Sequence, residues 1–503
     1  MIHRNPAAFT REPHDLIVVG GGIYGAMLAL EATRRGLRPL LLERGDFGGA
    51  TSWNSLRIVH GGIRYLQTLD LRRFRESVGE RRWLMATFPD LVHPLPCLMP
   101  LYGDGLRRPS VFRSALGLND LLSRRRNDGV PASQWLPGGA VLTAEETRHR
   151  FPSVNPAGLL GGALWYDGVI SSAPRLLIEL LRWAASGGAC PLNYVECIGF
   201  LSAGGRVTGV RARDHHSGED LEFRTALVIN AAGPWCREVA AGAGPAVPNL
   251  FRPSLAFNAL LDRKPPAGLA LAVTPRRRNP RTYFLYPWQE GILAGTLHAP
   301  WTGSTQDPIP DERLVLTFLT ELNEAVPDLD LRREDVIRIL PGLLPAAVDG
   351  GAIPAVREVV HDHGAHGGLR GVYSVSGVKY TTARRVADEA LQRILGTRPG
   401  QNGFERPASL PDLDVAGMMR LMEADRPGAI AHIGRIVREE AVLDPEDVML
   451  RRSDWGMNPT NGTRLAGLIR EVQEPAGGWW QGAREAGSAD RGGRGPPESV
   501  SRP

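Results

Sequence analysis

Three glycines between two apolar runs are the first residues whose spacing points to chemistry. In GGGIYG, Gly20, Gly22 and Gly25 follow the run DLIVV and precede a helical pattern. Such a turn lets the backbone approach a pyrophosphate, and the helix N-terminus adds amide donors and partial positive charge. Glu43 ends the next apolar run, where a carboxylate accepts hydrogen bonds from a ribose. The spacing predicts a dinucleotide site, although a glycine turn without a ligand fits the same pattern.

A lysine in the stretch SGVKYTT is the second candidate. The chain has 59 basic residues, and Lys379 and Lys264 are its two lysines, so arginine is the usual cation. A compact ammonium fits a confined site as a point charge, whereas a planar guanidinium is not equivalent. The helical pattern TTARRVADEAL follows directly, and helix N-termini also favour negative charge. We expect Lys379 to meet negative charge in a site; a solvated lysine near a helix start is the alternative.

The stretch HGGIRYL supplies a base and an anion-binding group. Near pH 7 the neutral imidazole of His60 is suited to take the proton of a secondary alcohol. The guanidinium of Arg64 holds a phosphate or carboxylate in a fork. A core histidine and an ordinary surface arginine fit the same letters.

These residues lie in a chain that alternates strands and helices at its start. The run from Asp15 to Asp46 reads as strand, glycine turn, helix and strand, which is a βαβ unit. The stretch 72–150 is irregular and is interpreted as an excursion or lid. Later runs such as LAFNALL, TYFLYPW and GILAGTL predict an antiparallel sheet, and helical patterns return near the end.

The predicted fold class is therefore α/β, with a discontinuous dinucleotide domain around a second domain. The predicted boundaries are 14–85 plus 152–245 plus 341–398 for the dinucleotide domain, 86–151 plus 246–340 for the substrate domain, 404–475 for a C-terminal helical domain and 476–503 for a disordered tail.

Composition narrows the function classes. The chain has 503 residues, a formal net charge of +5 and four cysteines. The cysteines show no metal-ligand spacing, so we expect no metal site and favour a reducing compartment. Basic residues are spread along the chain, so nucleic acid is not an expected partner. No apolar run reaches the ~18 residues of a spanning helix, and we expect a cytoplasmic protein.

Three motifs together carry a family resemblance. The stretch GDFGGATSWNSLRIVHGGIRYLQ, the segment VINAAGPW from Val228 to Trp235 and SGVKYTT resemble the membrane-associated, FAD-dependent glycerol-3-phosphate dehydrogenases. These belong to the D-amino-acid-oxidase-like flavoproteins. The resemblance spans roughly Asp15 to Leu395 and continues weakly into the C-terminal helices. HGGIRYLQ is close to family-specific, whereas INAAGPW marks the wider superfamily.

The resemblance implies a Rossmann-like FAD-binding domain and assigns site residues. His60, Arg64 and Lys379 are the implied catalytic residues, with Lys379 beside the flavin pyrimidine edge. The implied substrate contacts are Arg64, Tyr65, Arg281 and His298. The implied FAD contacts are Gly20, Gly22, Gly25, Glu43, Arg44, Thr51, Ser52, Ser55, Val195, Ala231, Gly233, Gly342, Gly377, Val378, Lys379, Tyr380 and Thr381.

The substrate half departs from the family pattern. A family arginine that binds the substrate phosphate corresponds to Leu344 in PGLLPAA, and a family histidine corresponds to Leu255 in RPSLAFN. The family element GTTD reads GTLH here and ends at His298. Losing one charge-assisted contact removes about 1.5–3 kcal/mol, or about one to two decades of affinity. The flavin half therefore matches the family, and the substrate half is altered.

The sequence predicts an FAD-dependent oxidoreductase that takes hydride from a hydroxylated donor, either glycerol 3-phosphate or a less anionic relative. Quinone or oxygen is the expected electron acceptor. An amine or amino-acid oxidase, or a flavin-binding protein without donor turnover, remains open. The basic stretch RRFRESVGERRW suggests peripheral contact with the inner face of the plasma membrane, and a solvated helical face is its alternative.

Overall fold

The computed structural model of the protein describes residues 1–473 apart from 104, 106, 276, 278, 279 and 397–403. The predicted tail 476–503 lies outside the described residues. The strands are β1 Leu16–Val19, β2 Pro39–Leu42, β3 Ile58–Val59, β4 Val92–Leu101, β5 Ala140–Leu142, β6 Gly161–Ile170, β7 Cys190–Leu192, β8 Val195–Ala203, β9 Arg206–Asp214, β10 Asp220–Arg224, β11 Val228–Asn230, β12 Pro253–Leu261, β13 Ala270–Val273, β14 Tyr283–Trp288, β15 Gly291–Pro300, β16 Val336–Pro345, β17 Val359–Asp362 and β18 Val372–Ser376. The helices are α1 Ile23–Thr33, α2 Leu71–Thr87, α3 Pro109–Leu122, α4 Ala144–Arg150, α5 Ala173–Ser186, α6 Cys236–Ala241, α7 Glu312–Ala325, α8 Ala383–Leu395, α9 Val415–Ala424, α10 Arg426–Glu439 and α11 Pro459–Gln473.

A six-stranded sheet in the order β17-β18-β11-β1-β2-β7 forms the dinucleotide-binding part. Its strands are parallel except β17, which pairs antiparallel with β18. All residues of β1 and β2 are buried, because helices α1, α5 and α8 cover one face and the β8–β10 sheet covers the other. Strands covered on both faces need continuous apolar runs, which LIVV and PLLL supply.

A larger sheet stands beside it, in the order β16-β12-β15-β14-β13-β4-β6-β3, with β5 paired to β6. Its pairs are antiparallel except for β13 with β4. Helix α7 packs on one face through Phe318, which contacts the rings of Phe257 and Tyr283. The C-terminal helices α9–α11 pack in a separate core with side chains of the opposite face, including Leu260 and Leu293.

Two buried ion pairs fix the C-terminal helical domain to the rest of the chain. Arg57 donates two hydrogen bonds of 2.7 Å to Asp454, and Arg452 donates bonds of 2.5 and 2.9 Å to Asp46. All four residues are buried. The loop that follows the second dinucleotide strand therefore depends on residues more than 400 positions later in the chain.

The predicted α/β class, with a Rossmann-like sheet, an antiparallel sheet and C-terminal helices, is confirmed. The structure differs at the predicted boundaries. Strand β6 falls in the segment 152–245 assigned to the dinucleotide domain, yet it pairs with β4 over ten residues in the large sheet. Strand β16 crosses the boundary at 340/341. An apolar run does not reveal which sheet it joins, because parallel-core and antiparallel-core strands share that pattern. The stretch 72–150, expected to be irregular, contains α2, β4, α3, β5 and α4.

The basic stretch RRFRESVGERRW forms most of α2, and its arginines are largely neutralised. Arg72 pairs with Glu76, Arg73 with Asp70, Arg81 with Asp167 and Arg82 with Asp128. Four of the five arginines in this stretch therefore have a carboxylate partner, and the fifth, Arg75, is exposed. Among the described residues, no helix has both the length and the apolarity needed to span a bilayer.

Candidate active site

A cleft of about 1340 Å³ lies at the carboxyl ends of the parallel strands. It exceeds the ~300–1,000 Å³ of ordinary small-molecule pockets, as an extended dinucleotide requires. Of the sequence-predicted FAD contacts, the following line it: Gly20, Gly22, Glu43, Arg44, Thr51, Ser52, Ser55, Ala231, Gly233, Gly342, Gly377, Val378 and Tyr380.

The glycine turn is as tight as its sequence predicts. Gly20 has φ +107°, and a Cβ there would lie 2.7 Å from the carbonyl oxygen of Ala231 on the neighbouring strand. A Cβ on Gly25 would lie 1.8 Å from the Gly20 carbonyl oxygen, so Gly25 is buried in the turn and does not itself line the cleft. Helix α1 begins directly after Gly22, so its first amides face the cleft.

Glu43 closes the turn from the second strand. Its carboxylate accepts hydrogen bonds from the amides of Gly21 at 2.6 Å and Gly45 at 2.9 Å. Burial raises the pKa of Glu43, and the two amides oppose that rise. The next residue, Arg44, lies over the ring of Trp235 at 3.9 Å and donates to Gln306 at 3.0 Å. Sequence reasoning did not find that a loop of the larger domain reaches across the groove in this way.

The loop after Glu43 carries the predicted hydroxyl groups. Ser52 Oγ accepts the amide of Ile23 at 2.9 Å, and Thr51 Oγ1 donates to the carbonyl of Leu343 at 3.1 Å. Ser55 Oγ and Trp235 Nε1 are buried in the cleft wall with no protein partner among the described residues. Unpartnered buried polar atoms are costly, so these two groups fit contacts to a bound ligand.

The far end of the cleft contains residues that sequence reasoning missed. Tyr194 donates to Asp447 at 2.6 Å, and Asp444, Asp447 and Arg451 of the C-terminal domain line the cleft. Val195 does not: its side chain is fully buried, and its amide donates to the Glu43 carbonyl at 2.8 Å. Side chains alternate along a strand, which turns Val195 inward and its neighbours toward the cleft.

Lys379 lies between β18 and α8; its neighbours Gly377, Val378 and Tyr380 line the cleft, whereas Lys379 itself does not. Tyr24 on α1 holds its backbone, because the Tyr24 hydroxyl donates to the Lys379 carbonyl at 2.8 Å and accepts its amide at 3.1 Å. A Cβ on Gly377 would lie 2.0 Å from the Tyr24 ring, which explains the glycine in SGVKYTT. Thr381 does not line the cleft and belongs to the turn that leads into α8.

A cationic cluster forms around Lys379. Its ammonium donates to the hydroxyl of the buried Tyr65, and Arg64 donates to the same hydroxyl at 3.2 Å. Desolvation, followed by the charges of Arg64 and Arg385, lowers the pKa of Lys379 to about 8. The structure thus brings together Arg64, Tyr65 and Lys379, which the sequence predicted as site residues. None of these three residues lines the cleft, and neither does His60.

His60 follows β3 and projects a half-exposed ring next to Phe284, with 5.0 Å between ring centroids. Its Nδ1 lies 3.1 Å from Oδ2 of the buried Asp167 on β6. A carboxylate only accepts hydrogen bonds, so Nδ1 carries a proton, and in the neutral ring Nε2 is then the acceptor. Sequence reasoning did not identify Asp167, since no motif surrounds it.

Of the two remaining predicted substrate contacts, one lines the cleft and the other does not. His298 lines the cleft, its Nδ1 is buried without a partner among the described residues, and desolvation followed by Arg281 and Arg64 lowers its pKa to about 4. His298 is therefore neutral at pH 7. Arg281 does not line the cleft and instead bonds to Glu321 at 3.2 Å.

Of the two leucines at altered family positions, one lines the cleft and the other does not. Leu344 lines the cleft two residues beyond Gly342, on the same face of β16. Leu255 was expected to face the cleft, but it is fully buried and packs in the core under α7. The cleft-facing position is the next residue, Ala256, which pairs with His298 on one side and Gly342 on the other. A one-residue slip along a strand exchanges its two faces.

The glycine turn, the long cleft and the adjoining antiparallel sheet define an FAD-dependent oxidoreductase. The family described as DAO, FAD dependent oxidoreductase, matches residues 15–389. The chain belongs to this family and, within it, to the glycerol-3-phosphate dehydrogenases. It is 31% identical over 406 residues to the glycerol-3-phosphate dehydrogenase of Synechocystis sp., covering 78% of this chain and 72% of that one.

Other relatives agree. The mitochondrial glycerol-3-phosphate dehydrogenase of Homo sapiens is 30% identical over 411 residues, 79% of this chain and 55% of the relative. The chain thus spans about half the length of the mammalian mitochondrial relatives it matches. The solved glycerol-3-phosphate dehydrogenase from Bacillus halodurans, complexed with FAD, has a TM-score of 0.71 at 20% identity and covers 96% of this chain and 95% of its own. That likeness confirms the predicted fold.

The residues of the cleft fit FAD as the cofactor. The turn at Gly20 and Gly22 leaves room that a side chain would fill, and Ser55 and Trp235 offer unpaired polar atoms. Glu43 ends the second strand, where a carboxylate accepts hydrogen bonds from ribose hydroxyls. The chemistry that FAD supplies when bound is the acceptance of hydride from a donor.

Proposed function

We propose that this oxidoreductase removes hydride from the carbinol carbon of a small hydroxylated donor, glycerol 3-phosphate or a less anionic relative. The observation that carries the proposal is the imidazole of His60, held through Nδ1 by Asp167 with Nε2 as the acceptor. In the reaction, Nε2 of His60 takes the hydroxyl proton while the carbon gives up its hydride and the C–O bond becomes a carbonyl. Arg64 binds the anionic group of the donor, and the Lys379 ammonium would stabilise negative charge on bound FAD.

The donor site is only partly cationic, which supports a donor with less charge than a phosphate ester. The residues of the large sheet that line the cleft are Ala256, Asn258, Thr296, His298, Pro341, Gly342, Leu343 and Leu344. None carries a charge at pH 7, because the pKa of His298 is lowered to about 4. The charges that act on His298 are those of Arg281 and Arg64. Electrons leave to a quinone or to oxygen in this proposal.

Anaerobic titration of the FAD-loaded protein tests the donor class. Glycerol 3-phosphate, glycerol, small 2-hydroxy acids and a panel of amino acids are added separately, and loss of the flavin's visible absorbance is recorded. We expect bleaching by hydroxylated donors and none by amino acids. Bleaching by amino acids alone means an amine or amino-acid oxidase. No bleaching by any donor, with normal photoreduction, means a flavin-binding protein without donor turnover.

Peripheral contact with the inner face of the plasma membrane is part of the proposal, through α3 rather than α2. Helix α3 exposes Val111, Leu118 and Leu121, which are 37%, 40% and 65% accessible and lie on one helical face. Two arginines are also exposed, Arg113 within the helix and Arg124 just after it. An apolar stripe beside arginines is typical of helices that lie in an anionic lipid surface. We expect the protein to co-sediment with anionic vesicles and the Leu121→Gln variant to lose this binding. If the wild-type protein does not co-sediment at low salt, the proposal is wrong.

A further inference from the structure

Asp167 reaches His60 through the pairing of two strands. Strand β3 pairs antiparallel with β6, with Ile58 opposite Val169 and Val59 opposite Gly168. The same register continued by one residue sets His60 opposite Asp167. The two residues are 107 positions apart, and the contact is made by the large sheet rather than by a flexible loop.

The Asp167 carboxylate is saturated with donors. Besides His60 Nδ1 at 3.1 Å, it accepts the Gly61 amide at 2.6 Å, Arg81 Nη1 at 2.9 Å and Trp165 Nε1 at 3.1 Å. It is 2% accessible. Burial alone would raise the pKa of Asp167, but the hydrogen bond from His60, the charge that His60 carries when it is protonated, the charge of Arg81 and the Gly61 amide lower it to about 2. The group is ionised and has no freedom to rotate.

Arg81 explains the first glycine of the HGG motif. This buried arginine of α2 bonds through Nη1 to Asp167 and to the carbonyl of Tyr166 at 2.8 Å. A Cβ on Gly61 would lie 2.1 Å from that same Nη1. Any side chain at position 61 therefore displaces the guanidinium, so the glycine next to His60 preserves the contact between Arg81 and Asp167.

We infer that Asp167 and Arg81 are positioning residues that set the tautomer and orientation of the His60 base. The inference rests on the proposed role of His60. Asp167 keeps the proton on Nδ1, so the lone pair of Nε2 is available for the hydroxyl proton of the donor. Once Nε2 is protonated, the carboxylate stabilises the imidazolium. Arg81 keeps the carboxylate ionised, so the proton stays on the imidazole.

Few charged or titratable groups of the described residues surround His60 and Asp167. Arg81 acts directly on Asp167, and the thiol of Cys97 lies close enough to interact with both Arg81 and Asp167. Arg126 acts on Arg81 from the segment after α3. Phe284 contacts the His60 ring and carries no charge. Among these groups, Asp167 is the only carboxylate bonded to His60.

The test compares Asp167→Asn with His60→Ala and with the double variant, all loaded with FAD. An Asn amide can donate to Nδ1, which moves the ring proton to Nε2 and removes the base. We expect kcat to fall about 10²–10⁴-fold in each single variant, with unchanged KM and FAD content. The melting temperature should fall in Asp167→Asn, because the buried Arg81 loses its carboxylate partner. We expect no further fall in the double variant, because both changes remove one function. Trp165→Phe, which removes another hydrogen bond to Asp167, is the matched control and should retain most activity.

Two results separate the possible failures. If His60→Ala keeps wild-type kcat, the proposed base is wrong; if His60→Ala loses activity and folded Asp167→Asn does not, only the positioning role is wrong. If Asp167→Asn does not fold, nitrogen NMR of histidine-labelled wild-type protein gives the answer, with His60 assigned from the His60→Ala spectrum. Protonation of neutral His60 at Nδ1 supports the inference, and protonation at Nε2 overturns it.

Discussion

Leu344→Arg tests whether the donor site lacks a phosphate-binding cation. Leu344 faces the cleft on β16, across from Ser254 on β12, so an arginine there directs its guanidinium toward the donor. A new charge-assisted contact stabilises a bound phosphate by about 1.5–3 kcal/mol. We therefore expect the KM for glycerol 3-phosphate to fall by about one to two decades, with little change for neutral glycerol.

Steady-state kinetics with both donors at two salt concentrations measures this effect. Leu344→Gln is the matched control, because it adds a polar group of similar reach without a charge. The improvement with arginine should shrink as salt rises, since ions screen an exposed charge pair. The reasoning fails if Leu344→Arg binds FAD normally and changes kcat/KM for glycerol 3-phosphate and glycerol by the same factor.

Three further predictions concern the cofactor half. The pKa of Lys379 is about 8, so its ammonium is lost and kcat should fall as the pH rises past that value. Lys379→Arg should remove this fall in kcat at alkaline pH, and Lys379→Met should lower kcat about 10²–10³-fold. Gly25→Ala puts a Cβ 1.8 Å from a backbone oxygen and should abolish co-purifying flavin absorbance, whereas Gly79→Ala, whose Cβ meets nothing within 4 Å, should not. Arg452→Met leaves the buried Asp46 carboxylate without its partner and should lower the free energy of unfolding, measured with denaturant, by about 3–5 kcal/mol. The loss should be smaller in the double variant that also carries Asp46→Asn.

The flavin half was predictable because its determinants are local. The strand, the glycine turn, the helix and Glu43 lie within about thirty residues, and their spacing alone defines the geometry. The glycine of SGVKYTT was also recognisable, although its physical reason was not. Its neighbour Tyr24 lies more than 350 positions earlier in the chain, and the two meet only when α1 and α8 pack together.

The substrate half was less predictable because its contacts depend on strand register. Asp167 bonds His60 only through the pairing of β3 with β6, and a two-residue strand such as β3 leaves no periodic signal. Leu255 was assigned to the cleft, but the register of β12 turns Ala256 there instead. Arg281 was expected at the donor, and Glu321 on α7 pairs with it. Motif letters identify residue types, and the sheet decides which of them face the donor.

The single lysine of the site is explained by how this chain uses its arginines. Several arginines near the site pair with carboxylates, as Arg81 does with Asp167 and Arg384 with Glu80, whereas Arg64 bonds the hydroxyl of Tyr65. Among the described residues Lys379 has no carboxylate partner, and its ammonium bonds the neutral hydroxyl of Tyr65. A partly desolvated cation without a counter-charge costs stability, which is reflected in its lowered pKa. A purely structural role would favour a paired arginine, so the unpaired lysine supports the proposal that Lys379 meets negative charge on the cofactor.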